Sequence, residues 1–484
     1  MATEDNFIVA IELGSSKVTG IAGRKQPDGA LQILALVQEP SSAFIRKGRI
    51  NNIVKMRSCI GSVKEKLEKS LKKRIDKAYV GIGGMGMHTV AHTVLKKFTE
   101  KTVVSKEIVE EIQSDNYASQ PADKDILEAI TQEYKLGAQT QLDPVGIPAE
   151  SIEGYFLNVV TKREVRENIN NCVAEADLEI AGMPITFLAL ADEMVPEPER
   201  HSGCVFVDMG AETTSVAVFK NNILRHLAVI PLGGRNITRD ITSLSIEEGE
   251  AERLKLAHGS AFYDVPDDKR FASEPLKTER GHSIPYEEFC NLVEARQEEI
   301  IKNVKRQIEL SKYDKNQLVG GIIVTGGAAN MPNMEAALRL YLGFDKIQFV
   351  KSVTTAIRPS NGVQNFNRDG SCNAAIALLE SGTVNCCGGD LGTAEGDIFT
   401  SREEIRRKKE QEEAERKAKA EADRIAQEEE ARQAQEEAER QAAEEEARIR
   451  KEERSRVRKE KAGRLFGRIR RWAESIVSDD PEND

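Results

Sequence analysis

Short apolar runs alternate with amphipathic stretches up to about residue 382, and the pattern then changes character. In IELGSSKVTGIAG (residues 11–23) an apolar run closes on a carboxylate, small and hydroxyl residues follow, and a second apolar run leaves. The same grammar returns in VFVDMGAETTSVAVF (205–219). Each reads as two strands joined by a tight turn. Between them, the spacing of apolar positions predicts a helix around 164–176. Beyond them it predicts an amphipathic helix over Tyr286–Leu310, a buried strand over 320–324 and a helix over Met334–Leu342. Strands alternating with helices imply an α/β fold, and the repeated hairpin implies that its core is duplicated.

The turns carry the candidate chemistry. Small residues let a backbone approach an anion closely, and turn N–H groups and hydroxyls bond phosphate oxygens. Gly14, Ser15, Ser16 and Lys17 offer this in the first copy, and Gly210, Thr213 and Thr214 in the second. Glu12 and Asp208, at the strand ends, suit a magnesium ion or its waters. In GGIIVTGGAANMPNM (320–334) a strand runs into Gly326, Gly327 and Ala328 at a helix start, where a nucleoside can rest on bare backbone. Gly233 and Gly234 precede another helix, and Glu252 and Lys255 lie three apart on one helical face.

Five elements in this order resemble the actin, sugar-kinase and 70-kDa chaperone ATPase superfamily. The segment KDILEAITQEYKLGAQTQLDPVGIPAESIEGYFLNVVT (124–161) is similar to the extra subdomain of the FtsA family of bacterial actin-like cell-division proteins. ITFLALADEMV and SCNAAIALLESG resemble its two interdomain helices. The resemblance spans roughly residues 6–382 and implies a duplicated actin-like ATPase fold with two lobes and an inserted subdomain (SHS2-like). The expected divisions are 1–83 with 162–201 for lobe 1, 84–161 for the insert, and 202–237 with 313–382 for lobe 2. A helical subdomain of lobe 2 is expected at 238–312, a hinge and charged tether at 383–460, and an amphipathic helix at 461–478.

What the resemblance implies about function is specific. It implies ATP and Mg²⁺ between the lobes, self-association into filaments, and a partner in the acidic C-terminal peptide of the tubulin-like division protein FtsZ. It also implies contacts with other division proteins and a place at the division site, on the cytoplasmic face of the inner membrane. Arg296, Lys302 and Arg306 recur at helical spacing in the lobe 2 subdomain, where they could pair with that peptide. Hydrolysis is a separate matter. Glu12 stands where the family usually has Asp, Ala211 and Glu212 replace two glycines of the second turn, and Ser215 replaces its last Asp. Glu212 beside a phosphate turn is unfavourable unless it points away or meets a cation. Asp192, Glu193 and Ser215 are candidates to orient water, and none is compelling, so no catalytic residue is assigned and turnover is expected to be slow or absent. The alternatives are an actin-like scaffold for pilus or secretion assembly, or a small-molecule kinase of the same fold.

Composition adds what lies beyond the core. The 484 residues carry a net charge of −11, which argues against general nucleic-acid binding. No apolar run approaches the length of a spanning helix, MATEDN does not read as a secretory leader, and seven cysteines without metal-ligand spacing read as reduced thiols. Vicinal Cys386 and Cys387 fall in a Gly-rich stretch that reads as a linker. Residues 402–460 are almost all Glu, Arg, Lys, Gln and Ala, with Ile405, Ile425 and Ile449 too sparse for a coiled-coil seam. As one helix these roughly 60 residues would reach on the order of 90 Å, and as a disordered spacer they would still be a tether. The only tryptophan, Trp472, stacks with Leu465, Ile469 and Ile476 on one helical stripe, with Phe466 beside it. Arg464, Arg468 and Arg471 line a flank. That arrangement is expected to lie in the headgroup region of anionic membrane lipid.

Overall fold

A computed structural model describes residues 6–390, apart from 264–268, 270–272, 361–362 and 364–369. The charged tether and the helix expected at 461–478 lie outside the described residues.

Two sheets carry the body. The first runs, in spatial order, Glu179–Gly182, Lys77–Val80, Ile8–Leu13, Lys17–Lys25, Leu31–Pro40 and Ile357–Pro359. The second runs Gln139–Gln141, Lys124–Leu136, Pro148–Lys162, His88–Val103, Ile223–Ile230, Thr214–Lys220, Cys204–Met209, Gly321–Thr325 and Ile347–Phe349. The duplication read from the hairpins is visible in the pairing. In each sheet the first hairpin strand is antiparallel to the second and the second to the third, while a parallel strand flanks the first on its other side. Glu12 sits opposite Thr19, and Asp208 opposite Ser215, so the two carboxylates occupy equivalent rungs.

The helices follow from local sequence. Ile53–Leu71 starts at Asn52, whose side chain accepts from the Lys55 N–H, and it buries Met56, Cys59, Ile60, Val63 and Leu67 at helical spacing. Gly20 lets it come close, since a Cβ there would lie 2.2 Å from Val63. Thr186–Met194 and Asn373–Glu380 occupy the position expected of interdomain helices, packed into a core that draws on both sheets. Phe187 stacks on Phe206 of the second sheet at 5.2 Å. A Cβ at Gly81 would clash with both helices, at 2.3 Å from Thr186 and 2.7 Å from Leu378.

One feature adds to the reading of the sequence and another corrects it. The inserted segment forms a three-strand core flanked by the helix Lys106–Ala118, and its sheet continues into that of the second lobe through the pairing of His88 with Ala228. Residues 383–390, read as the start of a hinge, belong to the body. Cys387–Asp390 pairs with Lys73–Ile75, the Cys386 N–H donates to Phe7 O (2.7 Å), and the Thr383 and Val384 N–H groups donate to the Tyr79 hydroxyl. Cys386 and Cys387 are both buried, and burial pushes the Cys387 thiol up to about 12. All seven cysteines are buried thiols outside any disulfide.

Candidate functional site

The two hairpin turns face one cleft of about 1000 Å³. Its walls include Glu12, Gly14, Ser15, Ser16 and Lys17 from the first hairpin, and Asp208, Gly210 and Thr213 from the second. Gly234, Glu252, Lys255, Gly326, Gly327 and Ala328 line it as well. Thr214 and Gly233 do not. Thr214 is buried and its hydroxyl donates to Leu232 O at 2.9 Å, while Gly233 packs behind the second turn, where a Cβ would lie 2.5 Å from Gly210 O. These two support the turn without lining the cleft.

Bare backbone is a requirement at the turns. A Cβ on Gly14 would fall 2.6 Å from Lys17 O and 2.8 Å from a Glu12 carboxylate oxygen. Gly326 has φ +98°, and a Cβ there would meet Met209 O at 2.4 Å and the Asp208 carboxylate at 2.5 Å. Beside these turns the two carboxyls are strongly perturbed. Burial pushes Glu12 up to about 7, partly offset by the charge of Lys17 and reinforced by Asp208. Burial raises Asp208 to about 6. Two buried acids facing a polar cleft form a site whose charge a cation would complete. On the far wall Lys255 Nζ is fixed by Glu252 (2.7 Å), the Thr238 hydroxyl (3.0 Å) and Gly234 O (3.2 Å).

Of the residues considered for orienting water, Ser215 lines the cleft. Asp192 is an exposed partner of Arg200 at 2.8 Å, and Glu193 is engaged by the backbone of Thr354 and Thr355. Neither borders the cleft. On the helix Tyr286–Leu310, Arg296 pairs with Asp240 at 2.5 Å and with Glu299, Lys302 with Glu298, and Arg306 with Glu309 at 3.3 Å.

Sequence reasoning missed several lining segments, among them a small hairpin beside the first turn. Ile45–Arg46 and Arg49–Ile50 form a miniature hairpin whose turn residues, Lys47 and Gly48, both have positive φ, as a type I′ turn requires. The Gly48 N–H donates to Ser15 Oγ at 2.8 Å, and Gly48 and Arg49 line the cleft. The sequence signal was Lys-Gly between two Ile/Arg pairs. Glu212 meets this hairpin: it has 2% exposure and accepts from the Lys47 N–H at 2.6 Å.

Comparison with known proteins agrees with this architecture. The family model described as "Cell division protein FtsA" matches residues 205–366. An FtsA of Porphyromonas gingivalis is 29% identical over 347 residues, covering 71% of this chain and 72% of the relative. An FtsA of Bacillus subtilis is 28% identical, covering 68% and 75%, and that of Escherichia coli K12 is 24% identical, covering 80% and 93%. Among solved structures, the PilM–PilN type IV pilus biogenesis complex superposes with a TM-score of 0.53 at 14% identity, covering 78% of this chain and 98% of that one. That likeness concerns the fold. With the duplicated hairpins and the relatives matched across the body, this chain is similar to FtsA cell-division proteins and has the actin-like fold.

Proposed function

We propose that the protein is an ATP-binding adaptor that polymerises and anchors an FtsZ ring to the membrane. The observation that carries the nucleotide half is the convergence of both hairpin turns, with Glu12 and Asp208, on one cleft. The fit is chemical. The turns leave room for anionic oxygens against backbone only, and Lys17 and Lys255 supply positive charge. Among the described residues no cluster of three or more His, Cys, Asp or Glu could hold a metal alone. Mg²⁺ beside Glu12 and Asp208 would therefore take its other ligands from phosphate and water. Bound there, it would neutralise phosphate charge and favour the ionised form of both acids.

Each residue then has a task. Gly14, Ser15, Ser16 and Lys17 take the phosphates from one side, Gly210 and Thr213 from the other, with Thr214 and Gly233 holding the second turn in shape. Glu252, Lys255 and Gly234 hold the nucleoside, with Gly326, Gly327 and Ala328 beneath it. The substitutions at positions 211, 212 and 215 weigh against rapid hydrolysis, so nucleotide serves here to set conformation. Lys302 and Arg306, exposed and one turn apart, offer the FtsZ peptide basic side chains, with Arg296 on an adjoining flank of the same helix, and Trp472 with its apolar neighbours seats residues 461–478 in anionic lipid. Among the described residues no helix is long and apolar enough to cross a membrane, which is consistent with peripheral attachment.

Isothermal titration tests the cleft. ATP with Mg²⁺ should bind the wild type, and Asp208→Ala should lose at least tenfold of the Mg²⁺-dependent affinity. Equal affinity in the variant would remove the metal role, and no binding to the wild type would remove the nucleotide.

A further inference from the structure

We propose that Glu212 is a fixed anion that clasps the two lobes together along one edge of the cleft, so that closure there does not wait for a ligand. The residue lies in the second phosphate turn, yet its carboxylate points away from the cleft and is almost fully enclosed, with 2% exposure. Four donors converge on it, two from each lobe. From the first lobe come the Lys47 N–H at 2.6 Å and Arg46 Nη1 at 3.2 Å. From the second come Arg239 Nη2 at 3.0 Å and Arg235 Nη1 at 3.4 Å. Burial alone would raise the carboxyl, but the Lys47 N–H, Arg46, Arg239 and Arg235 outweigh it and hold the group below its ordinary range. Glu212 is therefore an anion at neutral pH.

The clasp is mechanically connected to both phosphate turns. The hairpin carrying Arg46 and Lys47 is fastened to the first turn through Gly48 N–H to Ser15 Oγ. The helix Gly234–Thr242, which carries Arg235 and Arg239, is fastened to the second turn through Gly234 N to Gly210 O (3.0 Å) and Arg235 N to Ala211 O (2.7 Å). A change at Glu212 thus reaches both walls of the cleft. Without the carboxylate, three guanidiniums would face one another, and among the described residues Glu248, 3.6 Å from Arg235, is the remaining acid paired with them. Like charges at this separation repel, and this edge would part. Joints elsewhere would act as the hinge, among them Val229 N–H to Met87 O and the Glu193 contacts with Thr354 and Thr355.

Spin labels on Lys55→Cys and Ser243→Cys, both exposed and on opposite lobes, report the separation in ligand-free full-length protein, because the native cysteines are buried. Glu212→Gln and Glu212→Ala should lengthen or broaden the distance distribution by several ångströms. Arg46→Ala, which trims a half-exposed side chain, should do so to a smaller degree and keeps the test available should the Glu212 variants fold poorly. A fluorescent ATP analogue should leave the Glu212 variants about tenfold faster than the wild type. Distances unchanged in well-folded Glu212 or Arg46 variants would overturn the clasp. If the analogue fails to bind even the wild type, it is the nucleotide reading that falls, and the distances still decide the clasp.

Discussion

At the scale of single residues, the paired acids are where chain and chemistry meet most closely. Their positions were legible, because a carboxylate at the end of an apolar run before a Gly turn recurs in both copies. Their shared, buried environment was not, since it depends on how two distant hairpins face each other. The consequence is a pH effect with a definite sign. Glu12 has its folded-state value raised to about 7 by burial, so the folded form holds that proton more tightly than the unfolded chain does. The associated stability is complete below the ordinary value of 4.5 and is lost as pH rises through about 7. At pH 8 the ionised buried group costs on the order of 3 kcal/mol. Glu12→Gln should therefore raise the melting temperature of ligand-free protein at pH 8 and change it little at pH 5. An equal shift at both would contradict the assignment of that cost to ionisation. Glu212 shows the limit of reading residues singly. As a glutamate in a phosphate turn it looked unfavourable, and the arginines that satisfy it come from two separate segments.

At the scale of elements, the amphipathic helices were legible because their buried positions repeat at helical spacing. Tyr286–Leu310 buries Phe289, Val293, Ile300, Ile301, Val304 and Ile308 on one face. Arg296, Lys302 and Arg306, which recur at helical spacing on this helix, each have an acidic neighbour. Arg296 is 26% exposed and bonded to Asp240 on the helix Gly234–Thr242. Arg296→Ala should cost about 1 kcal/mol of stability by chemical denaturation, as a partly exposed bidentate pair does. No change would show that pair to be idle. Arg306, more exposed and paired among the described residues with Glu309, separates binding from stability. Its reversal to Glu should weaken FtsZ peptide binding in fluorescence anisotropy while leaving the denaturation midpoint in place. If charge reversals at Lys302 and at Arg306 both leave affinity intact, the peptide binds another surface. The strand Cys387–Asp390 was missed because its Gly and Cys composition looks like a linker, and its partner strand is over three hundred residues away in sequence.

At the scale of the whole molecule, the duplication was readable from order and spacing, the inserted segment entered only through the family resemblance, and the fold bears out the α/β, actin-like class. The continuation of the insert's sheet into the second lobe was not readable, because it rests on a short junction between distant segments: the pairing of His88 with Ala228, the Val229 N–H to Met87 O bond and the bonds between Thr89 and Leu227. The proposed adaptor role joins three separate activities: nucleotide in the cleft, FtsZ on the second lobe, and lipid at residues 461–478. Because Trp472 is the only tryptophan, its emission reports the last of these without engineering. It should shift to the blue on adding phosphatidylglycerol vesicles and less so at high salt. The most direct test of the adaptor is co-sedimentation of FtsZ with such vesicles in the presence of this protein. FtsZ should pellet with the wild type and remain in the supernatant with Trp472→Glu, while ATP affinity is the same in both. FtsZ that pellets equally with the variant, or that never pellets with the wild type, would contradict the account.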